Sequence, residues 1–230
     1  MTGIALALDT AELETAVGWA AAAGPHLTTV KIGLELFLRH GGDAVLKCRE
    51  ASGDRAVFLD LKLHDIPNTV AGAARSVAGL APDYLTVHAA GGAAMIAAAV
   101  EALPDTRIAA VTVLTSLDAQ DLDAVGLAGP ATDAVRRLAG LAVAAGARAI
   151  VCSPQEVSLL RRDVGTDVTL VTPGVRPAGV AHADQSRVAT PEQAIRDGAD
   201  LLVIGRPITG AADVRAAAAA ISASLSAERP

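Results

Sequence analysis

Eight short runs rich in valine, isoleucine and leucine alternate along this chain with longer, alanine-rich stretches of helical period. That repeated switch from an extended to a helical pattern limits the architectures open to it. Apolar runs bounded by turn residues read as strands, and apolar residues spaced three and four apart read as helices. The expected strands cover 4–9, 28–33, 56–63, 83–89, 108–115, 148–153, 167–174 and 200–206. The expected helices cover 11–23, 34–51, 67–80, 92–103, 131–145, 154–162, 191–197 and 210–226. "DTAEL", "SPQEV" and "TPEQA" place capping residues before three of the helices, the last two with proline at the first helical position. Gly24, Gly146 and Gly198 fall where helices should stop. Strict β–α alternation predicts a parallel (β/α)8 TIM barrel, with a doubly wound open sheet as the structural alternative. No linker interrupts the pattern, so residues 1–230 read as a single domain.

Composition excludes several function classes. A chain of 230 residues, 52% hydrophobic, can bury a full core. The formal charge of −6 and the scarcity of aromatics, 2%, argue against nucleic-acid binding. No apolar run approaches the ~18 residues of a membrane span, and the first residues lack the pattern of a signal peptide. Cys48 and Cys152 lie far apart in apolar surroundings and read as reduced core thiols. These features suit a soluble, cytoplasmic globular protein.

In a barrel of this kind, functional side chains gather at the C-terminal ends of strands. Asp9, Lys31, Asp60, Lys62, His88, Thr115, Ser116 and Arg206 all fall at or just after such ends. The densest stretch is "FLDLKLHDIPNTV", residues 58–70. Period-two alternation puts Phe58, Asp60 and Lys62 on one face and Leu59, Leu61 and Leu63 on the other. The leucines then pack on helices, Asp60 and Lys62 point into the mouth, and Asp65 follows in the loop. Lys31, on the neighbouring strand, can lie beside Asp60. Opposite charges ~4 Å apart at an effective dielectric of ~20 interact by ~4 kcal/mol, enough to lock protonation states. A lysine held as a cation serves as a proton donor or anion partner. "TPGVRP" and "VIGRPI" follow the seventh and eighth strands, where barrels commonly hold phosphate, so Arg176, Gly205 and Arg206 are candidate anion ligands. Gln185 belongs to a polar loop, 175–190, that reads as a lid.

Weaker signals have plainer readings. His88 suits a supporting hydrogen-bonding role, and His64 should alternate away from Lys62. His26, His40 and His182 show no metal-ligand spacing. Asp118, Asp121 and Asp123 read as an acidic helix start.

The segments "LALD", "VKIG", "FLDLKLHDIPNTV", "TVHA", "VTVLTS", "TPGVRP", "DQSRVATP" and "VIGRPIT" together resemble the orotidine 5′-phosphate decarboxylase family over nearly the whole chain. The resemblance implies a homodimeric TIM-barrel lyase that converts orotidine monophosphate to UMP without metal or cofactor. It implies that Lys62 protonates pyrimidine C6, that Asp60 sits by the substrate carboxylate, and that Lys31 joins the charged network. It implies further that Asp65 and Thr69 reach the partner subunit's site and that Asp9 binds ribose. Thr115 and Ser116 would meet the pyrimidine, with Arg176, Gln185, Gly205 and Arg206 on the phosphate. A magnesium-dependent relative resembling 3-keto-L-gulonate 6-phosphate decarboxylase needs an acidic metal ligand where Lys31 stands; Glu35 is a weak substitute. A nucleotide-binding barrel without catalysis would show a damaged charged set. A metal-dependent epimerase would need histidine and aspartate ligands on several strands, and only His88 is suitably placed.

Overall fold

The computed structural model describes residues 3–127, 129–176 and 189–227. In chain order the elements are β1 (Gly3–Ala7), α1 (Leu13–Ala23), β2 (Thr29–Gly33), α2 (Leu34–His40), α3 (Gly42–Ala51), β3 (Ala56–Leu63) and α4 (Pro67–Ser76). They continue with β4 (Tyr84–His88), α5 (Ala93–Ala102), β5 (Arg107–Val111), α6 (Ala119–Ala124), α7 (Ala131–Ala144), β6 (Ala149–Val151) and α8 (Val157–Val164). The last are β7 (Thr169–Thr172), α9 (Pro191–Arg196), β8 (Leu201–Ile204), α10 (Arg206–Thr209) and α11 (Val214–Ala227). Neighbouring strands pair in parallel, and β1 pairs with both β2 and β8, closing the barrel. The TIM-barrel expectation holds, and the open-sheet alternative does not.

Alternation explains how the strands are buried on both sides. Inward-facing Ala5, Phe58, Ala109, Ala149, Val171 and Leu201 form one cluster inside the barrel. Outward residues such as Leu6, Val30, Ile32, Leu59 and Leu85 pack under the helices. Alanine abundance has a structural use there. On α1 the buried positions are Ala16, Ala20 and Ala23, and on α7 they include Ala134, Ala139 and Ala142. Small residues at helical spacing let these helices lie close against the sheet. Inside, the reverse applies: small alanines leave room for Phe58 and Tyr84, whose rings meet at 5.6 Å between centroids. The Arg107 guanidinium lies 5.5 Å from the Tyr84 ring centroid. Two of the chain's few aromatics therefore form the barrel floor.

Element boundaries differ from expectation in three instructive places. The expected helix 34–51 is two helices, broken at Gly41 with φ +57 and ψ −137, a conformation that favours glycine. The fifth and eighth strands stop at Val111 and Ile204, and Val113, Leu114, Thr115, Gly205 and Arg206 just beyond them line the mouth. The acidic stretch after β5 forms its own short helix, α6, where Asp118 accepts from Gln120 N and Asp121 N in a capping box. Capping works as expected at α9, where Thr190 accepts from Gln193 N. At α1 it does not: the helix begins at Leu13 and Asp9 is turned elsewhere. Phe58→Ala is expected to lower stability by about 3–5 kcal/mol. A chemical-denaturation loss below ~1 kcal/mol, the scale of an ordinary surface change, would show that the aromatic floor does not carry the packing.

Candidate active site

The mouth of the barrel holds a cavity of about 530 Å3, lined from every strand, or the loop that follows it, except β4. Its floor is Phe58, and Val111, Val113, Val151 and Val203 form much of an apolar wall. The paired charges concentrate on one side, where β1, β2 and β3 end. Register places Lys31 opposite Ala7 and Phe58, and Gly33 opposite Asp60.

Four side chains form an alternating chain of charges there. Lys31 Nζ lies 3.0 Å from Asp9 Oδ1 and 3.2 Å from Asp60 Oδ2. Lys62 Nζ lies 2.8 Å from Asp60 Oδ1. Each Asp60 oxygen therefore faces a different ammonium. Lys31 and Asp60 are buried, whereas the Asp9 side chain is 63% exposed and closes the row toward solvent. Gly33 makes this packing possible. A Cβ at Gly33 would stand 2.8 Å from Asp9 Oδ1 and 3.2 Å from Lys31 Nζ, inside the space the ion pair occupies.

Burial and pairing oppose each other at both buried groups. Burial alone would lower the Lys31 pKa, but Asp60 and Asp9 outweigh it and raise it above the ordinary lysine value. Burial likewise would raise the Asp60 pKa, but Lys31 and Lys62 hold it below the usual carboxylate range. Burial and the neighbouring His64 and Lys62 lower the His88 pKa against the pull of Asp60. His88 lies against exposed His64, with ring centroids 5.5 Å apart and planes tilted by 36°, and does not line the cavity.

The strand carrying Asp60 and Lys62 is not the regular ladder that alternation describes. Its faces are as expected: Leu59 is in the outer core, with Leu61 and Leu63 packed against it. The pairing is not. Leu59 pairs with Leu85 and Leu63 with Val87, so three residues of β3 face the single residue Thr86 of β4. Lys62 takes up the excess with φ +49, a left-handed conformation that costs an L-residue about 1–2 kcal/mol. Thr86 is fully buried and answers the bulge: its Oγ1 accepts from Lys62 N at 2.8 Å and donates to Asp60 Oδ1 at 3.0 Å. Reading strand ends overlooks this mid-strand hydroxyl. The available signal is its phase, because Thr86 alternates with His88 and so faces inward.

Of the remaining sequence candidates, Thr115, Arg176, Gly205 and Arg206 line the same cavity. Arg176 is buried next to a short pairing between Val175 and Ala189, and Arg206 is exposed at the start of α10. Ser116 is exposed and does not line the cavity. Asp65 and Thr69 are exposed outside it, with Asp65 Oδ1 accepting from Ile66 N at 2.6 Å. Within one chain the fourth member of the charged row is therefore Asp9 rather than Asp65. Gln185 and most of the 175–190 loop lie outside the described residues. Among the described residues, no group of three His, Cys, Asp or Glu side chains is arranged to hold a metal ion.

Fold and site together define a TIM-barrel enzyme whose mouth offers an apolar wall, a row of paired charges and two arginines to an anionic ligand. The chain belongs to the orotidine 5′-phosphate decarboxylase / HUMPS family, whose model matches residues 2–221. It is 69% identical over 222 residues to orotidine 5′-phosphate decarboxylase of Thermobifida fusca, covering 96% of this chain and 95% of that protein. The relative of the same name from Frankia casuarinae is 58% identical over 240 residues, covering 97% and 88%. A crystal structure of orotidine 5′-phosphate decarboxylase from Lactobacillus acidophilus matches with TM-score 0.85 and 36% identity, covering 98% of this chain and 99% of that one.

The sign of the Asp60 shift fixes a pH dependence. Its folded pKa is depressed, so its pairing stabilises the fold above the unfolded carboxylate pKa and is lost as pH falls through the folded value. Removing the Lys31 ammonium should reverse the shift. Lys31→Met is expected to move the Asp60 titration upward in carboxylate 13C NMR spectra; an unmoved titration would show that Lys31 does not hold the charge.

Proposed function

We propose that the chain decarboxylates orotidine 5′-monophosphate to UMP in the barrel mouth, as a carboxy-lyase of pyrimidine biosynthesis that needs neither metal nor cofactor, with Lys62 delivering a proton to C6. The observation that carries this reading is the Asp9–Lys31–Asp60–Lys62 row beside an apolar wall. Loss of carbon dioxide from C6 leaves an sp2 carbanion with no electron sink in the ring. An ammonium already fixed beside that carbon stabilises the developing charge without reorganisation and then quenches it. Lys62 is the member at the end of the row, with Asp60 Oδ1 as its paired carboxylate. Asp60 stays ionised through Lys31, so it keeps its charge when Lys62 gives up a proton. Its carboxylate then faces the substrate carboxylate across the same space.

The rest of the cavity divides the ligand by chemistry. Arg176, Gly205 and Arg206 line the cavity on the β7 and β8 side and take the phosphate. Gln185, from the segment outside the described residues, completes the phosphate contacts. Exposed Asp9 binds ribose hydroxyls, and Thr115 with Ser116 meets the pyrimidine. Binding phosphate away from the reacting carbon supplies energy for positioning at C6.

The magnesium-dependent alternative places a cation where the Lys31 ammonium stands between two carboxylates, and like charges there repel. A non-catalytic nucleotide-binding barrel gives no reason to keep Lys31 and Lys62 on one carboxylate. Asp65 and Thr69 serve the neighbouring subunit of a homodimer. They are exposed, as is Ile66 at 66%, on the rim that follows β3. No helix among the described residues is long and apolar enough to cross a membrane. Two buried, unbridged cysteines fit a reducing cytoplasm.

EDTA-treated protein is expected to consume orotidine monophosphate at full rate, followed by the loss of its absorbance; dependence on added Mg2+ would support the metal-using alternative. Lys62→Ala should lower kcat by roughly a thousandfold or more while UMP still binds, and substantial residual turnover would sink the proton-donor role. Mixing Lys62→Ala with Asp65→Ala protein should regain up to about a quarter of wild-type activity, through heterodimers with one intact composite site. Two inactive variants that stay inactive on mixing would count against the shared site.

A further inference from the structure

The geometry points to Thr86 as the residue that positions the Asp60–Lys62 pair for proton delivery, through a hydroxyl that holds the β3 bulge and one Asp60 oxygen at once. This rests on the proposed role of Lys62 as proton donor.

The chemistry of the hydroxyl fixes the direction of each bond. Lys62 N–H can only donate, so Thr86 Oγ1 accepts there, at 2.8 Å. Its own proton is then free to go to Asp60 Oδ1, which is 3.0 Å away. That oxygen also receives Lys62 Nζ at 2.8 Å, while Oδ2 faces Lys31 Nζ. Backbone and side chain of Lys62 are thus tied to one point by two routes, one through Thr86 and one through Asp60.

Without the hydroxyl, both routes loosen together. The bulge leaves Lys62 N–H facing Thr86, the single β4 residue across three residues of β3. A part-buried amide without its acceptor is costly, and Lys62 already carries a left-handed backbone. Asp60 would keep its two ammonium partners but lose the bond that sets the carboxylate plane. The ammonium would remain present and paired yet be displaced, and displacements of about 1 Å cost catalysis more than binding. Thr86 does not line the cavity, so it acts through these two residues rather than on the ligand.

Thr86→Val replaces the hydroxyl with a methyl of nearly the same volume. Expected are a folded protein by thermal melting, kcat for orotidine monophosphate at least tenfold lower, and KM within threefold of wild type. Thr86→Ser, which restores the hydroxyl and loses only a methyl, should recover at least half of the wild-type kcat. A valine variant with kcat less than tenfold reduced, a KM loss that accompanies any kcat loss, or a serine variant that fails to recover would overturn the assignment. If the valine variant does not fold, Thr86→Ser and Thr86→Ala provide the comparison, since both lack the methyl and only serine keeps the hydroxyl. A serine kcat at least fivefold above alanine supports the role, and a smaller ratio refutes it. Turnover surviving in Lys62→Ala would instead remove the proton-donor reading, whatever the Thr86 variants do.

Discussion

One carboxylate shared between two ammonium groups organises this molecule's working end. Asp60 is buried, and an isolated ionised carboxylate in such a place is strongly disfavoured. Lys31 on β2 and Lys62 on its own strand each take one of its oxygens, and Thr86 on β4 adds a neutral donor. Three consecutive strands are thereby tied at one point. Lys31 extends the arrangement to β1 through Asp9, and Gly33 yields the space that pair needs. The charges are compatible with burial only as a set. Removing Lys31 or Asp60 takes a partner from a buried charge, which is more costly than the loss of a surface ion pair.

Much of this is legible in the sequence, for reasons that can be named. The alternation of strand and helix patterns defines the barrel, because both faces of a parallel sheet must be covered and the periodicities differ. Asp60, Lys62 and Lys31 stand out because a charge inside an apolar run is costly to bury unless a partner or a ligand meets it. The bulge at Lys62 does not stand out. It arises from pairing between β3 and β4, and no local pattern in "DLKLHD" reports that the facing stretch of the partner strand is two residues shorter. Thr86 is hidden with it, since a single threonine in a strand is unremarkable until something opposite needs a hydroxyl. The break at Gly41 and the separate helix α6 depend on the path the chain takes over the barrel surface. Asp65 groups with the charged row by proximity in sequence, but the chain turns at the strand's end and carries it out to the rim.

The barrel interior is stratified. Alanines at Ala5, Ala109 and Ala149 leave a space that Phe58 and Tyr84 fill from one side, and the charges begin directly above. Phe58 belongs to both layers: it is packed into the interior cluster and forms the bottom of the cavity. Apolar packing beneath the charged row also keeps water from approaching it from below, which strengthens each ion pair above.

That floor has a consequence for traffic. The chamber is a cul-de-sac, because side chains fill the barrel below Phe58 and no channel runs through a barrel of eight strands. In the proposed reaction, the gas released and the nucleotide left behind leave by the mouth through which the substrate arrived. The phosphate end, on the exposed Arg206 side in that proposal, would then stand nearer the exit than carbon dioxide, which forms beside buried Asp60. Departure order becomes a property of the architecture, set by which product stands nearer the door.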